Sequence, residues 1–389
     1  MKSETATVLK AYRAAPLFKQ DFVIGNATVI KVRKSMLANV GQVLHNRENG
    51  CVGFVLHDSK QEALTYTKRF EAGFKSDFNA PIINNKKTAV TMAKTVSPTR
   101  MRSFIKSLTA KFPNRFCSDF SIPSNASIGC LYGPKASNWV KGQWETITSS
   151  RRDIRVENYV HSKYAQNSII VTIPGNSQND GIVILGAHID STLKIEDGFS
   201  PDIIAPGADD NASGVAVLTE VLRAIVRTMY KPEKTIHLIG FAVEEIGFPG
   251  SREIASEYRR KGKNVVGMLN FDMVGYNKQN GLNDICITRD RLSNHAQSSF
   301  LVDLMNQYLP RLNHQFIECR PPCSDHAGWT ENSFPAGMAC ECTDAVRNPN
   351  YHMPSDVVET INKDYMSNFA RLGVYYIAEL AKGTTNNNV

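Results

Sequence analysis

Gly181-Ile182-Val183-Ile184-Leu185-Gly186-Ala187-His188-Ile189-Asp190 decides the fold. Its first seven residues form an aliphatic run without polar alternation, the pattern of a strand covered on both faces. The run then stops at an imidazole and a carboxylate. Two later stretches repeat the design: residues 235–243 end in Glu244-Glu245, and residues 265–271 end in Asp272. Residues 168–173 read as a fourth strand. Between the first two lies the turn-rich acidic loop Pro206-Gly207-Ala208-Asp209-Asp210-Asn211-Ala212-Ser213-Gly214. Over residues 212–227, Val215, Leu218, Val221, Leu222 and Ile225 then recur at helical spacing. Strands alternating with helices predict an α/β domain, a mostly parallel central sheet flanked by helices on both faces. In such open sheets the carboxyl ends of the strands build the site. A parallel sheet would therefore bring His188, Asp190, Glu244, Glu245 and Asp272 together.

The 389 residues, 42% hydrophobic and 21% charged, have a globular composition and exceed what one small domain needs. Residues 1–80 read as a small N-terminal α+β unit, propeptide-like or accessory, with an alternating stretch at Ala27-Thr28-Val29-Ile30-Lys31-Val32 and no cluster of acids, His or Cys. Residues 81–97 read as a linker, rich in turn formers and carrying the basic pair Lys86-Lys87, which would suit proteolytic processing. Residues 98–389 hold the α/β domain. No run of eighteen apolar residues occurs, and no apolar segment follows Met1-Lys2-Ser3-Glu4, so neither a membrane span nor an intact signal peptide is expected. The formal net charge is +8, but the Lys and Arg residues are scattered, and no nucleic-acid partner is expected. The eight cysteines lack paired CxxC spacing, which argues against a zinc knuckle. Cys117 with Cys130 could close a loop disulfide, and the count leans toward an oxidising compartment.

Carboxylates and imidazoles without thiolates suit zinc or a similar divalent ion in a catalytic site, where an open coordination position needs few protein ligands. Two metals about 3.5–4 Å apart need a shared carboxylate to hold them against their mutual repulsion, and Asp210 is placed to be that bridge.

At this point the motifs carry a resemblance. Gly186-Ala187-His188-Ile189-Asp190-Ser191, Gly207-Ala208-Asp209-Asp210-Asn211-Ala212-Ser213-Gly214, Glu244-Glu245-Ile246-Gly247, Asn270-Phe271-Asp272-Met273, Cys323-Ser324-Asp325-His326 and Tyr351-His352 occur in this order. They resemble the successive motifs of the M28 zinc aminopeptidases, with the secreted bacterial leucyl aminopeptidases as the nearest likeness, over residues 112–382. The resemblance implies two zinc ions per chain on a zinc-dependent exopeptidase-like fold. His188 and Glu245 would hold one ion, Asp272 and His352 the other, and Asp210 would bridge them. Glu244 would be the general base, taking a proton from water and returning it to the leaving amine. Asp190 would orient His188, Asp356 would orient His352, and Ser324 would hydrogen-bond into the layer around the ligands. The family's bridging aspartate is followed by a non-proline cis peptide, here Asp210 to Asn211. A Cys319–Cys323 disulfide is implied as well.

The implied substrates are peptides with a free N-terminus, and the implied product is a single released residue. The positions matching the substrate pocket are Met273, Pro321, Met338, Cys340, Asp344, Arg347 and Tyr351. Pro321 stands where relatives place a tyrosine hydroxyl. Asp344 would turn the preference from Leu toward Lys or Arg, because a buried acid favours a cationic partner, unless Arg347 neutralises it. Asp209 is expected to face solvent or cap the helix, Asp325 and His326 to support their loop, and Cys340 and Cys342 to be buried thiols. A monomer, secreted or periplasmic, completes the reading. Its alternatives are a glutaminyl cyclase-like amidohydrolase with a single zinc on the same scaffold, and a non-catalytic receptor-type homologue.

Overall fold

The computed structural model describes residues 5–11, 20–24, 27–33, 55–57, 59–117, 130–176, 181–193, 204–277, 284–318, 323–342 and 348–386. Strands β1 (Thr5–Ala11), β2 (Gln20–Ile24), β3 (Ala27–Arg33) and β4 (Val55–His57) form an antiparallel sheet in the order β2-β3-β1-β4. Helix α1 (Lys60–Ala72) follows, opened by Ser59, whose hydroxyl accepts from the Glu62 N–H at 3.2 Å. This helix docks on the larger domain. Ala63 and Tyr66 pack with Phe248, Leu292 and Ala327. The Tyr66 hydroxyl donates to Glu331 at 2.8 Å, and the Arg252 guanidinium lies 5.3 Å from the Tyr66 ring centre.

The stretch expected to be a linker is built into the larger domain. It holds helix α2 (Lys86–Ala93), whose Ala89, Met92 and Ala93, with Val96 beyond its end, lie in the main core. The Asn84 and Asn85 N–H groups donate to the buried Glu379 carboxylate at 3.0 and 2.9 Å. Turn-forming residues suggested an exposed connection, but apolar side chains at helical spacing and a buried acceptor tie it down. Lys86 and Lys87 therefore sit in the first turn of a helix.

Helices α3 (Pro98–Lys111) and α4 (Gly133–Thr148) lead into an eight-stranded sheet. Its strands are β5 (Arg155–Tyr159), β6 (Ser168–Ile173), β7 (Ile182–His188), β8 (Thr235–Phe241), β9 (Val265–Phe271), β10 (Ile285–Thr288), β11 (His314–Ile317) and β12 (Ala336–Glu341). Their order is β11-β10-β12-β9-β7-β8-β6-β5. The four central strands, β12, β9, β7 and β8, are parallel, while β5, β6 and β10 join antiparallel. The remaining helices are α5 (Ala212–Arg227), α6 (Pro249–Arg260), α7 (His295–Tyr308), α8 (His326–Glu331) and α9 (Lys363–Leu380).

β7 is buried along its whole length, as its unbroken aliphatic run requires. Val183, Leu185 and Ala187 pack into the cluster that holds α5 and α9, whereas Ile182 and Ile184 face Ile254, Ala255 and Tyr258 of α6 and Trp329 of α8. Helices thus cover both faces, and β7 lies in the middle with β8 and β9 beside it. The four strands and the helix expected from the sequence are all present.

His237 shows what this burial does to a titratable group. Its Nδ1 meets the Tyr258 hydroxyl at 2.8 Å inside the sheet's packing, and burial lowers its pKa from 6.5 to about 4, with Lys263 and Arg155 adding to the effect. A depressed imidazole contributes stability above its unfolded value, and that contribution drains away as pH falls from 6.5 toward 4. Its size is about 3 kcal/mol. Urea titrations of His237→Gln should show a shallower loss of stability across that window than the parent; an unchanged slope would assign the acid sensitivity elsewhere.

Candidate metal centre

Each chemical group is delivered by a chain ending in the same place. His188 is the last residue of β7, Glu244 and Glu245 open a single 3-10 turn after β8, and Asp272 follows β9. Asp210 precedes α5, and His352 comes from the loop before α9. Because β9, β7 and β8 are parallel neighbours, their carboxyl ends share one edge. There His188 Nε2 lies 3.1 Å from Asp210 Oδ1 and 3.4 Å from Asp272 Oδ1. On the other side His352 Nε2 lies 2.9 Å from Asp210 Oδ2 and 3.3 Å from Glu245 Oε2. Asp210 therefore presents one oxygen to each imidazole.

These distances change the expected partition of ligands. The donor atoms of His188, Asp210 and Asp272 lie within 4.8 Å of one another, as do those of Asp210, Glu245 and His352. His188 thus goes with Asp272, and His352 with Glu245, the reverse of the pairing that the motifs implied. The reason is spatial: β7 lies between β8 and β9, and its terminal imidazole turns toward the β9 side. His188, Glu244 and Glu245 form a third grouping.

The donor set fits divalent cations. Glu245 Oε1 is buried with no hydrogen-bond partner among the described residues, and a buried anionic oxygen without a partner is costly. Burial works to raise Asp210, but hydrogen bonds from His188 and His352 outweigh it and hold the carboxyl below the usual range. Burial opposes a charged His352 as well, yet Glu245 and Asp210 push it up to about 10. His188 is raised in the same way, against burial, by Asp272, Asp190 and Asp210. The carboxylates thus demand positive charge, and carboxylate and imidazole donors suit zinc. Burial raises Glu244 well above the ordinary carboxylate range, with Glu245, Asp272 and Asp325 adding to it and His188 opposing.

The supporting layer acts mainly on backbone. Asp190 is buried, and its two carboxylate oxygens accept from the Glu244 and Glu245 N–H groups at 3.0 and 3.1 Å. His188 Nδ1 lies 3.2 Å from the Asp190 carbonyl and 3.5 Å from its carboxylate. Asp190 therefore serves the His188 ring and, more directly, the turn that carries both glutamates. The two oxygens of Asp356 accept from the Asp209 and Asp210 N–H groups at 2.9 and 3.1 Å, which sets the backbone of the central aspartate. The Ser324 hydroxyl donates to Asp272 at 2.5 Å and accepts from Asn270 at 2.8 Å. Asp209 neither faces solvent nor caps the helix. It is buried, accepting from the Gly275 N–H and the Asn348 amide, both at 2.7 Å, while Asn211 caps α5. Asp325 and His326 are buried beside the ligands and join none of the metal-like groupings.

The backbone at the site is strained. Val243, just before Glu244, has φ 54°, Met273, just after Asp272, has φ 50°, and His352 itself has φ 55°. Left-handed geometry is unfavourable for such residues by about 1–3 kcal/mol each, and surrounding contacts enforce it. The Val243 N–H, for instance, donates to Gln166 at 3.2 Å. The Asp210–Asn211 peptide is cis.

Of the pocket positions, Met273, Met338 and Cys340 are buried, and the Tyr351 ring stacks on that of His352 at 3.8 Å. Pro321, Asp344 and Arg347 lie outside the described residues, as does Cys319. Cys323 is disulfide-bonded. Cys117–Cys130 forms as expected, whereas Cys342, expected as a buried thiol, bridges to Cys286; Cys340 is a buried thiol. These bridges fit an oxidising compartment, and no described helix is long and apolar enough to cross a membrane.

One buried charge beside the site escaped the sequence entirely. Arg115 is fully buried beside the site. Burial lowers it to about 10 while Asp356, Asp190, Asp210 and Glu245 oppose that shift, so it is cationic at neutral pH. Nothing around Pro113-Asn114-Arg115-Phe116-Cys117 marks it in the sequence.

Known proteins resemble this chain. A model of peptidase family M28 matches residues 168–377. Over 266 residues the chain is 36% identical to Leucine aminopeptidase 1 of Arthroderma gypseum, covering 64% of this chain and 68% of that one. It is 32% identical over 314 residues to a probable leucine aminopeptidase 1 of Trichophyton verrucosum, covering 76% and 82%. The crystal structure of the LapA aminopeptidase of Legionella pneumophila superposes with a TM-score of 0.81 at 22% identity over 97% of this chain and 98% of that one. Site and relatives together define a zinc-dependent aminopeptidase, a hydrolase of peptide bonds. The chain belongs to peptidase family M28.

Asp190→Asn offers only one acceptor where two N–H groups converge, and turns an NH2 group toward the other. Unfolding of the metal-free chain in urea should show a loss of about 1–3 kcal/mol; stability equal to the parent's would deny Asp190 this role.

Proposed function

We propose that this aminopeptidase holds two zinc ions, one between His188 and Asp272 and one between Glu245 and His352, with Asp210 bridging them. The observation that carries the reading is the position of Asp210, whose two oxygens face two imidazoles on opposite sides. When bound, the zinc pair supplies Lewis-acid polarisation of the scissile carbonyl and makes water a better acid. Glu244 lies in the same cluster as His188 and Glu245 and acts as general base. It takes a proton from the attacking water and returns it to the departing amine. Asp190 fixes Glu244 for this task through the backbone of its turn. The likeness to leucine aminopeptidases supports release of single N-terminal residues.

Glu244→Gln keeps the shape of the side chain and removes the base. Its kcat on an aminoacyl-anilide should fall by about 10²–10⁴-fold with two zinc ions per chain retained by metal analysis. Near-parental turnover would sink the assignment of the base, and one zinc per chain in the parent would favour a cyclase-like site.

Substrate preference turns on Asp344. The resemblance to the family assigns position 344 to the substrate pocket, where a carboxylate would select a basic side chain by its charge. Lys- or Arg-anilide should then be cleaved better than Leu-anilide, and Asp344→Asn should move the kcat/KM ratio toward Leu by about tenfold or more. A parent that already prefers Leu overturns the proposal.

A further inference from the structure

Arg115 belongs to none of the motifs and precedes the stretch that matches the family model, yet it is a buried cation on which the carboxylates of Asp356, Asp190, Asp210 and Glu245 all act. We propose that Arg115 is a positioning residue whose guanidinium fixes the spacing between the β7 end that carries His188 and the loop that carries Asp210, and so sets how tightly the site holds its cations. The inference rests on the two-cation reading above.

Its three nitrogens all reach backbone carbonyls. Nε donates to Ile189 at 2.7 Å, one terminal nitrogen donates to Pro206 at 2.5 Å, and the other donates to Gly207 at 2.9 Å. Ile189 directly follows His188, and Gly207 lies three residues before Asp210. The Gly207 carbonyl also accepts from the Ala212 N–H at 3.1 Å, so the stretch that includes the bridging aspartate is held at both ends. The backbone around Arg115 completes the strap. Its own N–H donates to the Ser191 hydroxyl at 3.0 Å, that hydroxyl donates to the Ala205 carbonyl at 2.8 Å, and the Ala205 N–H donates to Pro113 at 2.7 Å. Gly207, at φ +49°, allows the close approach: a Cβ there would meet the Asp210 carbonyl oxygen at 2.2 Å and the Ser191 Cβ at 2.6 Å.

A planar fork that engages three carbonyls from two segments is a spacer with fixed geometry, and an ammonium on a flexible stem cannot reproduce it. The sign of the effect separates spacing from charge. A positive group beside a site for dications repels them, so removing its charge alone would strengthen zinc binding. Removing the spacer would weaken it, by about ten- to a hundredfold for groups that hold metal ligands in place.

The test uses the full chain, stripped of metal and titrated with zinc against a competing fluorescent chelator, with melting of the metal-free forms in parallel. Arg115→Met should bind zinc about ten- to a hundredfold more weakly than the parent, and Arg115→Lys should fall between them. Arg151→Met is the control for general loosening, because Arg151 is also buried and donates to the Tyr230 carbonyl at 3.0 Å, outside the strap. It should lower the melting temperature and leave zinc affinity at the parental value. If Arg115→Met does not fold, the Arg115→Lys affinity decides. Parental or tighter zinc binding in the folded Arg115 variant, or an equal weakening in Arg151→Met, overturns the positioning role and leaves the two-cation reading standing. A parent chain that takes up no zinc would instead sink that reading, and this inference with it.

Discussion

Two imidazoles share one buried carboxylate, and the rest of the site is arranged around that fact. Asp210 can face both His188 and His352 only if its backbone is held while its side chain stays accessible from two directions. The Asp356 carboxylate does the holding, through the N–H groups of Asp209 and Asp210. Asp190 does the same for Glu244 and Glu245. Each acid joins two consecutive N–H groups to one rigid acceptor, so that side chains meant for chemistry keep their oxygens free. An oxygen used to hold the loop could not also serve a cation.

The strand order explains why this arrangement is attainable. A central β7 between two parallel neighbours lets three successive strands end at one edge, and helices pack on both faces of the sheet. Burial there works against every charged form, and the close opposite charges outweigh it, so the imidazoles rise and Asp210 falls. The same burial would be ruinous for an unpaired acid. Strain at Val243, Met273 and His352 is the accompanying cost, and it falls at residues next to, or among, those that do the work.

The N-terminal side of the chain packs close to the site as well. Helix α2 anchors on Glu379, α1 packs against Phe248 just beyond the glutamate turn, and the 113–117 strap reaches the ligand loops. Segments that precede the stretch matched by the family model thus contact the loops of its site.

The sequence by itself determined the sheet and the identity of the chemical groups. A strand buried on both faces must be continuously apolar, so 181–187 announced itself, and the polar residues that break each such run could only lie at its end. That logic is local, and it also recovered helix 212–227 at its observed bounds. What the chain could not announce was which groups meet. The pairing of His188 with Asp272, the allegiance of Asp356 to backbone, the burial of Asp209, the Cys286–Cys342 bridge and the reach of Arg115 all depend on distances between segments far apart in the chain. Such distances are set by strand order and crossover packing, which leave no periodic trace in any one stretch, so only the tertiary structure decided them.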